Sequence, residues 1–103
     1  MITLSNGHIV IGKETAESLL EADNNKIAWV FYTAKNTMMI ASQKDELFTS
    51  IHKATISILK LKNGRGDRSF SIQELLIDKE LNDTDRELAH IADEAMKIVT
   101  VYF

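Results

Sequence analysis

The spacing of apolar positions changes several times along the chain, and each change marks an element. Ile2-Thr3-Leu4-Ser5 and His8-Ile9-Val10-Ile11 flank Asn6-Gly7, and a two-residue Asn-Gly loop suits a type I′ turn in which both residues take φ > 0. The pattern predicts a β-hairpin over residues 2 to 12. From Lys13 to Ala22 the spacing becomes helical, with Ala16, Leu19 and Leu20 on one face and Glu14, Glu17 and Glu21 outward. Asp23-Asn24-Asn25 then stops that helix.

Residues 26 to 34 are apolar on both alternating faces, Ile27, Trp29 and Phe31 on one and Ala28, Val30 and Tyr32 on the other. Such a strand is central or covered on both sides. After a Lys35-Asn36 turn, Thr37 to Ser42 continues as its antiparallel partner through Met38, Met39 and Ile40. Ser42 as N-cap, with Asp45 near the third helical position, predicts a helix over 43 to 62 that carries Leu47, Phe48, Ile51, Thr55, Ile58, Leu59 and Lys62 at helical spacing. The β-branched residues clustered between Thr55 and Lys62 support a competing strand there. For the helix, Asn63-Gly64 supplies a left-handed C-cap, with Lys60 and Lys62 at the C-terminal dipole.

Two further capping boxes follow. Ser71-Ile72-Gln73-Glu74 precedes Leu75, Leu76 and Ile77, and Thr84-Asp85-Arg86-Glu87 leads a helix to about Lys97 with Leu88, Ile91, Ala92 and Ala95 inward. Ile98 to Phe103 reads as a last strand returning to the sheet. The sum is a single α+β domain over residues 1 to 103. Its antiparallel sheet combines the N-terminal hairpin, two central strands and the C-terminal strand, with helices packed on one face.

Composition narrows the chemistry. A chain of 103 residues, 45% apolar and 26% charged, suits one globular core. It has no cysteine, which excludes disulfides, thiolate metal sites and a catalytic thiol. The N-terminus lacks a secretory pattern, and no apolar run approaches the ~20 residues of a membrane span, so a cytoplasmic protein without a membrane partner is expected. The net charge is −3, unevenly spread: Lys53, Lys60, Lys62, Arg65 and Arg68 form a basic middle, and an acidic stretch runs from Glu74 to Glu94.

The basic residues are the candidate nucleic-acid or partner contacts, laid along a helix and its exit loop. Arg65-Gly66-Asp67 has the form of an adhesion tripeptide, but glycine turns and an Asp67 or Ser69 bond to nearby backbone account for it more simply. Glu87 and His90 would share one helix face, yet a carboxylate-bridged metal centre needs a second such pair, and the chain has none. Asp83-Thr84-Asp85 lacks the glycine and terminal glutamate of a calcium loop and suits a helix N-terminus. No phosphate loop or nucleophile elbow occurs. Trp29, Phe31, Tyr32, Met38 and Met39 are read first as core and second as a pocket or homodimer interface. No cofactor or metal is expected. The reading is a small non-catalytic interaction or regulatory protein, self-associating and with an unidentified protein partner; the alternatives are a nucleic-acid-binding regulator and a small ligand-binding domain or enzyme.

Overall fold

The computed structural model describes residues 2–18, 26–61 and 66–103. The hairpin forms as its turn dictates. β1 (Ile2–Ser5) and β2 (His8–Ile11) pair from Ile2↔Ile11 to Ser5↔His8, and Asn6 and Gly7 take φ of 51° and 77°, both left-handed as a type I′ turn requires. α1 (Lys13–Ser18) follows; the rest of the expected helix and its Asp23-Asn24-Asn25 stop lie outside the described residues. β3 (Lys26–Tyr32) and β4 (Thr37–Ser42) pair from Ile27↔Ser42 to Tyr32↔Thr37, joined by a 3-10 turn over Thr33–Lys35.

Two expected helices are overturned. Of the described residues of the first, 43–61, only α2 (Glu46–His52) is an α-helix. Asp45, not Ser42, is its N-cap, accepting the Phe48 N–H at 2.9 Å, while Ser42 Oγ accepts from the Lys44 N–H at 3.2 Å. Lys53 turns left-handed at φ 52° and ends the helix. Beyond it run β5 (Thr55–Ile58), paired with β3, and β6 (Lys60–Leu61), paired with β7 (Arg68–Ser71). The β-branched cluster thus decides in favour of the strand, where such side chains fit a pleated surface. The Asn63-Gly64 cap lies outside the described residues.

The second overturned helix is 84–97. Its residues form β8 (Arg86–Glu87) and β9 (Ala89–Asp93), and β9 pairs along its whole length with β10 (Ile98–Tyr102). The turn between them holds no glycine or proline, which hid it from sequence. Asp93 Oδ1 accepts from the Met96 N–H at 3.0 Å and Lys97 takes φ 56°, so an aspartate side chain and a left-handed lysine make the reversal. The five-residue ladder on β10 outweighs helix propensity, which is a weak prior. α3 (Gln73–Asp78) forms where the first capping box predicted, although Ile72 occupies the N-cap position.

The strands make two antiparallel sheets rather than one. The first has the order β6-β7-β2-β1-β8 and the second β5-β3-β4-β10-β9, so the hairpin does not share a sheet with the central strands as expected. Only Leu59 separates β5 from β6, and only Leu88 separates β8 from β9. At both places the chain therefore passes directly from one sheet into the other. Leu59 and Leu88 are themselves buried.

The main core lies between the sheets. Ile2, Leu4, Ile9, Ile11 and Phe70 of the first meet Ile27, Met38, Ile40, Val99 and Val101 of the second, each fully buried apolar side chain contributing ~1.5–3 kcal/mol. α1 adds Ala16 to this core, and α3 adds Leu76 with Leu75 packed against it. α2 instead covers the opposite face of the second sheet, where Phe48 packs on Ala28 and Ala41. The helices thus do not share one face.

Candidate interaction surface

Strand alternation divides the aromatic and methionine group. Trp29, Phe31 and Met38 point between the sheets, Met38 fully buried and Phe31 against Phe103 with ring centroids 5.8 Å apart. Tyr32 and Met39 point to the opposite, outer face of the second sheet, and Met39 packs under Phe48. Core accounts for Met38 and Phe31, and only Tyr32 of the five is exposed.

The outer face of that sheet is built from register. Paired residues of antiparallel strands share a face, so Ile56, Ala28, Ala41, Ile98 and Asp93 form one row, and Val30, Met39, Thr100 and Ile91 the next. Tyr32, Thr37, Tyr102 and Ala89 form a third. α2 covers the β3–β4 half through Phe48. His52 meets Phe48 at 4.8 Å between ring centroids and Tyr32 edge-on at 5.8 Å, and its Nδ1 shares a hydrogen bond with the Tyr32 hydroxyl. Among the described residues no element covers the β9 side in this way: Ile91 is 61% exposed and Tyr102 40%.

Exposed large apolar residues gather here. Tyr32, Ile56, Ile58, Ile91 and Tyr102 lie on this face by register, Leu47 and Ile51 flank it on α2, and Met96 sits in the adjoining β9–β10 turn. Among the described residues, Ile77 on α3 is the exposed large apolar side chain lying elsewhere. The sequence pattern put Leu47, Ile51 and Ile58 at helical spacing and Ile91 inward on a second helix. The legible signal was the i, i+2 spacing of Ile56 and Ile58.

The basic candidates do not line one helix. Lys53 caps α2 and Lys60 is exposed on β6. Arg68 stands opposite Ile11 on the inner side of β7, half-buried, and its Nε finds no hydrogen-bond partner among the described residues. Lys62 and Arg65 lie outside the described residues. The tripeptide's aspartate serves the fold, since Asp67 Oδ1 accepts from the Lys13 N–H at 3.1 Å and so places a carboxylate at the first turn of α1.

The metal-like and calcium-like signals dissolve with their helix. Glu87 and His90 sit on extended chain, where three-residue spacing no longer brings side chains together. Asp85 Oδ1 instead accepts from the Asn6 N–H at 2.8 Å, tying that segment to the hairpin turn. His8 and His90 pair through Nδ1 with the nearby carbonyls of Asn6 and Leu88, at 3.0 and 3.3 Å. Among the described residues no three His, Asp or Glu side chains converge as metal ligands, and no helix is long and apolar enough to cross a membrane.

Clefts open elsewhere on the molecule. One of about 410 Å³ lies between the hairpin turn and α3, walled by Leu76 and Ile77 and by Asp83 and Asp85. Two others adjoin β5. One, of about 420 Å³, has Lys60, His8 and Ser69 on its walls; the other, of about 520 Å³, has Trp29, Ile72, Leu75, Glu74 and Asp78. Comparison with known proteins gives no significant match to a family model, a curated protein or a solved structure.

Proposed function

We propose that this chain is a non-catalytic interaction protein that self-associates as a homodimer through the outer face of its second sheet. One observation carries the reading: the exposed large apolar side chains gather on that face and on the helix that half covers it. Contiguous exposed apolar surface of this kind marks interaction sites on soluble domains.

Self-association is favoured because the face is self-complementary. A two-fold contact uses the same patch on both copies, and here the patch has a raised half, α2 over β3–β4, and a lowered half, β10–β9. An axis running along the strands sets Leu47 and Ile51 of one copy on Ile91 and Tyr102 of its partner. It also brings Lys26, on the β5 side, toward Asp93 and Glu94 on the β9 side. The molecule measures 34 × 31 × 21 Å, ample for the ~800 Å² that each partner gives to a standard interface.

The test is a light-scattering mass of the purified chain at low and moderate salt, with and without a mixed nucleic-acid pool. A dimer indifferent to nucleic acid is the expected result. A monomer throughout contradicts the reading, and a salt-sensitive mass increase with nucleic acid transfers the function to the basic residues.

A further inference from the structure

We infer that the open seam beside β5 is a binding site for an extended peptide segment whose side chains alternate between apolar and acidic. β5 pairs with β3 along one edge only. On its other side the ladder between β6 and β7 stops at Lys60↔Ser69. Among the described residues no strand pairs with the second edge of β5, or with Phe70 and Ser71 on the side facing it. Backbone donors and acceptors on such an edge need water or another strand. Edge strands that avoid partners carry charge, proline or a bulge; Thr55-Ile56-Ser57-Ile58 carries neither charge nor proline.

The seam has room. The clefts of about 420 and 520 Å³ both include Ser57 and Ser71 in their walls, so the opening runs along the edge of β5 rather than into a closed hole. An added strand would point successive side chains to opposite sides of the seam. On the inner side they meet Trp29, Ile72 and Leu75. The indole N–H of Trp29 already donates to Ser57 Oγ at 2.8 Å, which leaves its ring for apolar contact. On the outer side they meet Lys60, set among His8, Ile56 and Ile58, and its ammonium favours carboxylates. Glu74 and Asp78 border the inner side and repel carboxylates there, so the charge pattern fixes which face of the peptide points inward. The site lies on a strand edge and adjoins the sheet face assigned to self-association, because Ile56 and Ile58 wall its outer side.

Trp29 is the chain's single tryptophan and reports directly on the seam. The probes are a blocked octapeptide alternating valine and aspartate, the same peptide N-methylated at alternate residues, and a valine–lysine counterpart. The valine–aspartate peptide is expected to shift Trp29 emission saturably, and the N-methylated one to leave it unchanged. Lys60→Glu, at an exposed position, should weaken the aspartate peptide at least tenfold and improve the lysine peptide, with its melting temperature confirming an intact fold. The assignment is overturned if the aspartate peptide gives no saturable shift at millimolar concentration, if N-methylation makes no difference, or if Lys60→Glu leaves both affinities unchanged. It is also overturned if the peptide halves the light-scattering mass, because a second copy would then be the seam's occupant.

Discussion

Trp29 and Ser57 lie diagonally on the neighbouring strands β3 and β5, and the indole N–H donates to the serine hydroxyl at 2.8 Å. The pair fixes β5 to β3 by a side chain as well as by the ladder, and stacks Trp29 near Phe70 of the other sheet at 6.4 Å between ring centroids. Ser57→Ala leaves a half-buried N–H without its partner. The expected loss is about 1–2 kcal/mol, read from the midpoint of a urea titration followed by tryptophan emission.

Gly7 is held at φ 77° in the hairpin turn, its carbonyl accepting the Ile72 N–H at 2.9 Å. A Cβ there would collide with the Gln73 side chain. Gly7→Ala is expected to destabilise by about 1–3 kcal/mol. Adding Gln73→Ala removes the collision and not the left-handed strain, so thermal melting of the double variant should show partial recovery.

Lys53 shows the opposite case, an L-residue at φ 52° closing α2. Lys53→Gly is expected to raise stability by about 0.5–1 kcal/mol, the relief of left-handed strain less the extra freedom of an unfolded glycine. Asp45→Ala at the other end of the helix removes the acceptor of the Phe48 N–H. It should cost about 1 kcal/mol and speed amide hydrogen exchange within α2.

Ile9 and Ile91 separate core from surface. Ile9 is fully buried between the sheets, and Ile91 is 61% exposed on the outer face. Ile9→Ala should cost about 2–5 kcal/mol. Ile91→Ala should stay within about 0.5 kcal/mol for the monomer while weakening self-association, a contrast visible when denaturation and mass are measured on the same samples.

Where local chemistry and tertiary environment agree, the elements were legible in the sequence. Asn6-Gly7 specified its hairpin, and the apolar run 26–34 specified a central strand because both of its faces are covered, by the opposite sheet and by Phe48. The outer face was not legible. Leu47, Ile51, Ile58 and Ile91 fall at spacings that suit an inward helical stripe, and only the pairing of β5 with β3 and of β9 with β10 turns Ile58 and Ile91 toward solvent. The turns that allow this use Lys53 and Lys97 in left-handed conformations, residue types that give no turn signal. The separation of Trp29 from Tyr32 followed from alternation alone.

Because the chain has no cysteine, pairs introduced on the outer face report contact without interference. The most direct measurement is disulfide formation, under mild oxidation, in an equimolar mixture of the single variants Leu47→Cys and Ile91→Cys. The two-fold arrangement predicts that the mixed dimer dominates, with α2 of one copy linked to β9 of the other. No cross-link, or linkage no greater than that of a Cys placed at Ile77 on α3, would contradict it.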